Sequence, residues 1–578
     1  MHRSGKLMVL VPLVGSLLVP LGTVTVTLAT GGGAHARPSL VSAQPTHGHR
    51  PSAGPQRQSL VLGGGDPGDD VTGDTNPNLS ALCQSYIGGS NPYANPAPNV
   101  DQINGDTIVQ AGSQTGCSAA QNETTISVNP RNPKNLVGGT NDYRIFNTRE
   151  NRNDGSGWAY TTLDGGKTWT DVQLPHLTFQ TGATGALSDM DSAGDPAVAF
   201  GPHNTVYYAN LVFSRFNDGS GIVVSKSTNG GLTWGEPSIV FTDGVDSNGN
   251  PTAATVGNDK EWIAVDQRSG AVYVTWTEFG AAGSPIVASV SHDGGATWSA
   301  PVQVNPAFTP GGITPYSQGS IPQVGRDGTL FIAYEAAVCQ SLNCDQPTDH
   351  DAIIVARSKD GGKTFKNVEA SFDFDFPTNP HVGRATLTGE NWRINSFPQF
   401  VVDPNDDHMY ITWADDRNGQ YDSNFHSIKT NGDVFVIRSD DGKKWSAPLR
   451  LGTSADEVYP AVAANGGQVA VSFYTRAYDP NGIGVDMAYV AGDGGALKKN
   501  HVTRITTQTE NPNVQFVGTD LLDPTIVLQG LFIGDYTAVA MGSDGVFHPS
   551  WTDFRGRPGT TLPNQDAYTQ AIRLNSWH

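Results

Sequence analysis

Two kinds of short apolar segment alternate along the chain and predict paired strands. The first kind is small and apolar and often begins with proline, as in residues 196–200 (PAVAF) and 398–402 (PQFVV). The second kind follows after a polar gap and is rich in aromatic residues, as in 272–276 (VYVTW) and 409–413 (MYITW). Proline suits the start of a strand with an unpaired edge, such as the innermost strand of a propeller blade. Seven such pairs occur and no long stretch has the period of an amphipathic helix, so the pattern predicts an all-β chain.

A polar phrase with two glycines follows the paired segments in most repeats. It stands at residues 162–169 (TLDGGKTW), 227–234 (STNGGLTW), 291–298 (SHDGGATW) and 358–365 (SKDGGKTF), at intervals of 64–67 residues, with a shorter copy at 439–445 (SDDGKKW). Paired glycines adopt positive φ, an Asp carboxylate accepts hydrogen bonds from turn amides, and an aromatic ring covers the hairpin base. The phrase therefore predicts a structural turn between two outer strands. The residues given this structural role are Asp164, Trp169, Asn229, Trp234, Asp293, Trp298, Asp360, Phe365, Asp441 and Trp445.

The repeat predicts a β-propeller of seven four-stranded antiparallel blades over residues 101–578. Six blades with one decayed repeat is the alternative. The last repeat supplies only three strands, the third of them beginning at Gln565. We expect a segment near residues 106–109 (DTIV) to return as its fourth strand, since this closes the ring and removes the exposed sheet edges.

The repeated phrase resembles the Asp-box, or BNR repeat, of sialidases and their relatives, over roughly residues 121–573. The resemblance implies a sialidase-like β-propeller, although similar boxes also occur in propellers that are not enzymes. A retaining sialidase of this kind would need three arginines for the substrate carboxylate, a tyrosine nucleophile assisted by a glutamate, and an aspartate acid/base. The Arg-Ile-Pro signature of the family is not clearly present, because Arg144 and Ile145 are followed by Phe146 and lie after the second strand of the first repeat.

Polar side chains at the expected functional face supply the candidate site. In a propeller this face is built by loops that follow second strands and by loops that lead into first strands, whereas the boxes turn on the opposite face. The candidate catalytic residues are Tyr459, Glu457, Tyr536, Asp535 and Glu261. The candidate substrate-binding residues are Arg144, Arg215, Arg417, Arg476, Arg555 and Asp416. Converging on one channel mouth, they would bind or hydrolyse an acidic or neutral saccharide. In the alternative interpretation these charges pair with one another as solvated loop residues.

The net charge of −20 at pH 7 argues against nucleic acid and anionic membrane surfaces as partners. A cation or a neutral polar ligand fits this charge better. Oxygen side chains alternate at Asp246, Asn248 and Asn250 as in a calcium loop, although the glycine and the acidic residue that complete such a loop are missing. Calcium is therefore a candidate ligand, an ordinary Asn/Gly turn is the alternative, and no cofactor is required.

The amino-terminal residues predict export. Arg3 and Lys6 precede an apolar run at residues 7–28 and a small-x-small site at 34–36 (AHA), so residues 1–36 read as a signal peptide cleaved after Ala36. An uncleaved membrane anchor is the alternative, and it alone would bring the protein to a membrane. Residues 37–100 are rich in Pro, Gly and Asn and predict a flexible tether. Four cysteines in an exported chain predict two disulfides, which we expect to join Cys339 with Cys344 and Cys83 with Cys117.

These patterns together predict a secreted, monomeric, sialidase-like propeller that hydrolyses or binds a glycan or glycoconjugate, with exo-sialidase activity as the specific enzymatic hypothesis. The competing hypothesis is a non-catalytic adhesion or scaffold propeller that presents its loops to a protein partner. Three guanidinium groups around one carboxylate-sized pocket would favour the hydrolase. A mouth at which every charge is paired would favour the scaffold.

Overall fold

The structure is a computed structural model that describes residues 98–103, 120–150, 152–281, 283–306, 314–339, 348–423, 427–493, 496–497, 501–516, 518–555 and 565–574. The predicted signal segment and nearly all of the predicted tether lie outside these ranges. Cys83, Cys117 and Cys344 also lie outside them. Cys339 is buried and disulfide-bonded, and its pairing with Cys344 stays a prediction.

Seven antiparallel sheets of four main strands each follow one another along the chain, which confirms the seven-bladed prediction over the six-bladed alternative. From the inner to the outer strand, blade 1 consists of Gln121–Asn129, Asn132–Asn147, Arg152–Thr162 and Thr170–Gln173, and blade 2 of Ser192–Phe200, Val206–Phe213, Ser220–Ser227 and Ser238–Asp243. In the same order, blade 3 consists of Val256–Val265, Val272–Gly280, Ile286–Ser291 and Val302–Gln303, and blade 4 of Ser317–Val324, Leu330–Val338, His350–Ser358 and Lys366–Asp373. Blade 5 consists of Gln399–Val402, Met409–Asp415, Asp433–Ser439 and Leu449–Leu451. Blade 6 consists of Glu457–Asn465, Gln468–Thr475, Asp486–Asp493 and Ala496–Leu497, with Thr503–Arg504 also paired to its third strand. Blade 7 consists of Ala538–Met541, Val546–Asp553, Asp566–Thr569 and Val100–Asp101, with Ile572–Arg573 also paired to its second strand.

The blades form a closed ring. Each inner strand packs against the inner strand of the next blade, and the inner strand of blade 7 packs against that of blade 1. Because the strands alternate in direction, the loops after second strands and the loops into inner strands lie together on one face, which we call the loop face. The turns between third and outer strands lie on the opposite face, the box face. A site formed by these loops therefore lies on the loop face.

The hydrophobic core consists of layers between neighbouring blades, and the second strand of blade 5 illustrates why its sequence is almost continuously apolar. Ile411 and Trp413 face the layer shared with blade 4. Tyr410 and Ala414 face the layer shared with blade 6. Successive side chains of a strand point to opposite sides, and here both sides are buried, so apolar residues occupy both sets of positions apart from Thr412 and the terminal Asp415.

The ring is closed by a strand from the amino-terminal side of the described region. Val100 and Asp101 pair with Thr569 and Tyr568 as the outer strand of blade 7. The side chain of Asn99 donates to the carbonyl oxygen of Ile505 at 2.9 Å and fixes the entry of this strand. The expected mode of closure is therefore found, but the strand precedes the segment expected at residues 106–109, which lies outside the described residues. The β-branched run there gave no information about its partner, because the register is set by contacts with the distant carboxyl-terminal strand.

Several short elements lie in the connections between the blade strands. They are the 3-10 helices Phe179–Thr181, Gly185–Leu187 and Pro202–Asn204, and the hairpins formed by Thr378–Asn379 with Arg384–Ala385, Gln420–Tyr421 with Ser427–Lys429, and Gly518–Thr519 with Val527–Leu528. No α-helix occurs in the described ranges, and none of their helices is a candidate to cross a membrane.

The predicted Asp-box turns all connect a third strand to an outer strand. In the first box, Oδ1 of Asp164 accepts from the amides of Lys167 and Thr168 at 2.9 and 3.0 Å, and Oδ2 accepts from the Thr168 hydroxyl at 2.7 Å. Gly165 and Gly166 have φ of 80° and 86°, as the turn requires. These bonds lower the pKa of Asp164 although burial opposes the shift. The carboxylate accepts these bonds from its own turn, as a structural role requires.

The other boxes repeat this geometry. Asp293 and Asp360 make the same three bonds, and Asn229 accepts from the Thr233 amide while its own amide group donates to the Thr233 hydroxyl. The shorter fifth box needs one left-handed glycine, and its Asp441 accepts from the amides of the next two lysines. The aromatic residues of the boxes pack against the inter-blade layers, and they are Trp169, Trp234, Trp298, Phe365 and Trp445.

Candidate functional site

The inner strands of five blades carry the same bulge near the loop face. At each bulge two residues of the inner strand oppose one residue of the second strand, and the first of the two lies in the left-handed region. These first residues are Glu123, Asp195, Lys260, Gly319 and Tyr459, with φ of 53°, 52°, 52°, 67° and 47°. A left-handed residue other than glycine costs about 1–3 kcal/mol and persists where surrounding contacts enforce it, commonly at functional sites. The strained positions point to the ring centre as the candidate site.

A buried ion network joins these bulges across the ring centre. The ammonium of Lys260 lies 3.0 Å from Glu123, 3.1 Å from Asp195 and 2.7 Å from Asp535. Arg393, in the loop before blade 5, binds both carboxylate oxygens of Asp535 at 2.6 Å. All five side chains are at most 7% exposed. The network thus ties together residues from blades 1, 2, 3, 5 and 7.

The network separates its carboxyl groups into charged and neutral forms. Burial and the charge of Asp195 raise the pKa of Glu123 well above its usual value. Burial alone would raise the pKa of Asp195 as well, but the Lys260 charge and a hydrogen bond from Glu123 lower it. The Arg393 and Lys260 charges likewise hold the pKa of Asp535 far below its usual value against the effect of burial. The two cations therefore favour the ionised forms of Asp195 and Asp535, whereas burial favours the neutral form of Glu123.

The two candidate tyrosines lie at this centre. Tyr459 donates its hydroxyl to the carbonyl oxygen of Arg393 at 2.6 Å, and Tyr536 donates to that of Pro196 at 3.2 Å. Burial raises the pKa of both phenols well above 10, so both are neutral. Glu457 is not brought to Tyr459, because it accepts hydrogen bonds from Thr453 and Thr475 instead. Burial raises the pKa of Glu457 to about 7.

Glu261 is the least satisfied polar group of the centre. It follows Lys260 as the second bulge residue of blade 3 and is 1% exposed. Apart from its own backbone amide, neither carboxyl oxygen meets a hydrogen-bond partner among the described residues. Burial and the Asp195 charge raise its pKa well above the usual value, so the group holds a proton near neutral pH.

A small pocket lies beside Glu261 at the ring centre. The pocket is lined by residues of blades 3, 4 and 5, among them Glu261, Trp262 and Gln399, and by Tyr536, which leads into blade 7. About 10 Å³ inside the pocket can be occupied by the centre of a water molecule. This is room for about one water molecule. The Tyr536 and Trp262 rings meet edge to face with centroids 5.1 Å apart, so an aromatic wall from blade 7 reaches blade 3 across the channel.

The candidate arginines are each held by protein carboxylates. The pairs are Arg144 with Asp142 and Asp171, Arg215 with Asp154, Arg417 with Asp415, Arg476 with Asp456 and Glu390, and Arg555 with Asp553 and Glu510. Three of them fold back onto an aspartate two residues earlier, which ends the second strand in blades 5 and 7 and lies within the second strand in blade 1. In blades 5 and 7 that aspartate also accepts from the indole N–H of Trp413 or Trp551 at 3.0 Å. The structure does not bring these arginines together around one pocket.

The remaining predicted residues are placed as follows. Asp416 accepts from the Tyr421 hydroxyl and from the Asn431 amide at 2.7 Å, and burial raises its pKa to about 7. Asp246 accepts from the amides of Asn248 and Asn250 at 2.8 and 2.9 Å, an arrangement that an Asx turn explains. Within the described ranges no group of three acidic, histidine or cysteine side chains is arranged to hold a metal ion. Calcium binding by this loop stays a prediction.

Sequence reasoning missed Lys260 and Arg393, the two cations of the network. Lys260 stands between Asp259 and Glu261 directly before an apolar strand, the same position that Glu123 and Asp195 occupy in their repeats. Aligning the repeats on their first strands would have found it. Arg393 lies in a long loop that has no counterpart in other repeats, so no repeat signal marks it.

Comparisons with known proteins find only remote likenesses. No profile of a known protein family and no curated protein sequence matches the chain. Among solved structures, a protein of unknown function from Dyadobacter fermentans is 14% identical with a TM-score of 0.39, covering 66% of this chain and 95% of its own. A Hadza microbial sialidase is 16% identical with a TM-score of 0.37 over 73% and 74% of the two chains. An α-L-arabinanase of Penicillium chrysogenum is 14% identical with a TM-score of 0.41 over 69% and 99%.

Likeness at this level carries no conclusion about activity. The structure itself has seven four-stranded blades in a ring, and five of the blades end their third strand in an Asp-box turn. The chain is therefore a seven-bladed β-propeller whose first five blades carry Asp-box turns.

Proposed function

We propose that the protein is exported and binds or hydrolyses a neutral glycan at the centre of its loop face. The observation that carries this proposal is the set of strained, charged bulge residues that converge beside a pocket lined by Glu261, Trp262 and Tyr536. Aromatic walls with a few fixed polar groups are typical of small-molecule sites. A sugar ring offers C–H faces to the aromatic rings and hydroxyls to the polar groups. The pocket has room for only about one water, so binding of a sugar there requires the pocket to widen.

The charges favour a neutral sugar over a sialic acid. Binding a substrate carboxylate requires guanidinium groups that are free to form bidentate pairs. Each of the five predicted arginines is engaged by a protein carboxylate, and Arg393 is engaged by Asp535. The ionised Asp195 at the centre would also repel an acidic ligand. The exo-sialidase hypothesis is therefore the weaker of the two enzymatic hypotheses.

Two carboxyl groups at the centre have the properties that glycoside hydrolysis needs. Such reactions use one protonated carboxyl as general acid and one ionised carboxylate as base or nucleophile. Surroundings that push two pKa values apart identify such a pair. Glu261 has a raised pKa and Asp195 a lowered one, and the charge of Asp195 acts directly on Glu261. We assign the proton-donor role to Glu261 and the ionised role to Asp195.

A panel of fluorogenic glycosides tests this assignment. We expect the wild-type protein to hydrolyse at least one neutral hexoside or pentoside and no sialoside, and Glu261→Gln to lower kcat about 10²–10⁴-fold. Glu335→Gln is the matched control, because Glu335 is also buried with a raised pKa and an unpartnered Oε2, but lies in the second strand of blade 4. Hydrolysis of sialosides would contradict the proposal, as would full activity of Glu261→Gln. Binding of a neutral glycan without turnover would restrict the function to recognition.

A non-catalytic scaffold is the second candidate function. It is favoured by the closed network at the centre, in which the arginines of the loop face already have protein partners. Immobilised neutral and acidic glycans distinguish the two candidates. Retention of the wild-type protein on none of them would favour the scaffold and its protein partner.

Export is tested separately. Expression of the full chain should release a protein that begins at Arg37. Recovery of an intact amino terminus in the membrane fraction would instead support the anchored alternative.

A further inference from the structure

Two sets of exposed aromatic rings stand on the loop face away from the centre. The first, the blade 1–2 platform, consists of Phe179, Phe216 and Arg149. Phe179 and Phe216 are 47% and 56% exposed, and the Arg149 guanidinium lies 5.7 and 4.7 Å from their ring centroids. All three residues lie in loops that follow a second strand or lead into an inner strand. The platform therefore opens on the same face as the channel.

The second set, the blade 4–5 platform, consists of Phe372, Phe374 and Tyr421. Phe372 is 42% exposed, and its ring centroid lies 6.4 Å from that of Phe374, which in turn lies 5.7 Å from that of Tyr421. The Arg417 guanidinium lies 5.7 Å from the Phe372 ring. Phe372 stands at the loop-face end of the outer strand of blade 4, Phe374 follows in the loop towards blade 5, and Tyr421 lies in the hairpin after the second strand of blade 5. In a ring of seven, the two platforms are three blades apart, on nearly opposite sides of the channel.

The charge at both platforms excludes an acidic ligand. Arg149 is held by Asp189 at 2.8 Å and by Asp191 at 3.3 Å, and Arg417 is held by Asp415. The cations therefore fix and polarise the rings and do not offer a free anion site. Large exposed rings on a folded protein commonly mark a binding surface. Amide and hydroxyl groups of Thr148, Gln180 and Asn217 surround the first platform, so the surface suits a ligand that alternates C–H faces with hydroxyls.

We propose that the two platforms hold the arms of one linear neutral polysaccharide whose middle crosses the channel mouth. The proposal rests on the neutral-glycan function above and extends it from a single sugar to a polymer. A chain bound in this way contacts the protein at three places, so affinity rises with chain length until both platforms are reached. Short glycosides use the centre alone.

Affinity electrophoresis in soluble xylan, arabinan, galactan, mannan and mixed-linkage glucan tests the polymer, and calorimetry with an oligosaccharide ladder of the best of these tests the length dependence. We expect the double variant Phe179→Ala/Phe216→Ala and the single variant Phe372→Ala each to weaken polymer binding, by about two- to tenfold for each ring lost. Binding and turnover of monosaccharide glycosides should be unchanged. Phe216→Tyr keeps a ring and should bind the polymer as the wild type does.

The matched control is Leu163→Ala/Leu232→Ala, which removes two exposed apolar side chains from the box face. We expect it to bind as the wild type does. Wild-type polymer affinity in both platform variants, or affinity that stops rising at one or two sugars, would overturn the platform proposal and leave the neutral-glycan function intact. Failure of the wild-type protein to bind any of the polymers or their short glycosides would overturn both.

Discussion

Replacing Lys260 with methionine removes the one cation shared by three buried carboxyl groups. In the wild-type protein its ammonium contacts Glu123, Asp195 and Asp535 within 3.1 Å. Asp535 keeps Arg393 as a partner and Glu123 is protonated, so the variant leaves one carboxylate, that of Asp195, without a cation. Breaking a buried ion pair by removing one partner costs about 3–5 kcal/mol. We expect the free energy of unfolding at pH 7 to fall by about this amount.

The loss should depend on pH in a defined direction. The lowered pKa of Asp195 means that its wild-type contribution is present above its ordinary value of 3.8 and disappears as the pH falls below it. The raised pKa of Lys260 means that its contribution is present at all pH values below its ordinary value of 10.5. Without the cation the Asp195 carboxyl takes up a proton in mildly acidic solution. The difference between wild type and variant should therefore be largest at pH 6–9 and shrink towards pH 4.

Guanidinium-induced unfolding followed by tryptophan fluorescence measures this difference. The control is Lys359→Met, since Lys359 is 67% exposed and lies 3.9 Å from an equally exposed Asp327. Its midpoint should equal that of the wild type. If Lys260→Met unfolds at the wild-type midpoint at pH 7, or if its deficit is the same at pH 4 and pH 7, the central network does not stabilise the ring electrostatically.

Three further predictions concern the boxes and the centre. In thermal unfolding, Gly231→Ala should destabilise the protein more than Gly165→Ala. Both glycines have positive φ, but only at Gly231 would a Cβ clash with Val137 and Thr161 of the neighbouring blade. Equal losses of stability in the two variants would exclude this contact between blades as the cause. Asp164→Ala should lower the melting temperature at pH 7, and this deficit should vanish as the pH falls below 3.8, the ordinary pKa of Asp. The lowered pKa of Asp164 means that only its ionised form stabilises the fold. A deficit that persists at pH 2 would contradict this. As the pH rises from 5 to 8, Glu261→Gln should lose less stability than the wild type. The reason is that the raised pKa of Glu261 makes the folded wild-type protein hold a proton that the unfolded chain releases above pH of about 4.5. Parallel curves of stability against pH for the two proteins would show that Glu261 is ionised.

The blades and boxes could be predicted from the sequence because their chemistry is local. Asp164 bonds residues within four positions of itself, and its neighbouring glycines adopt the turn wherever the phrase stands. The pairing of Arg417 with Asp415 is equally local, and the Asp-x-Arg spacing that recurs in three blades was sufficient to predict it. The alternative interpretation of the loop charges as mutual pairs described these arginines better than a free substrate clamp did.

The centre could not be predicted because its contacts are distant in the chain. Lys260 binds residues 137 positions before it and 275 after it, and only ring closure brings them together. The closing strand was misplaced for the same reason, since its partner stands at the other end of the described chain. Burial decides the protonation of Glu123 and Glu261, and no sequence pattern reports burial at a bulge.

Closure by Val100–Asp101 also orders events during synthesis. The strand Val100–Asp101 leaves the ribosome before any of the blades, yet the residues that receive it, Asp566–Thr569, are translated after the first six blades. Six blades can fold in turn before that strand finds its partner, and the seventh sheet stays incomplete until residues 566–569 have been translated. A product truncated before residue 566 keeps an open edge that invites aggregation, so the seam acts as a check that favours full-length molecules.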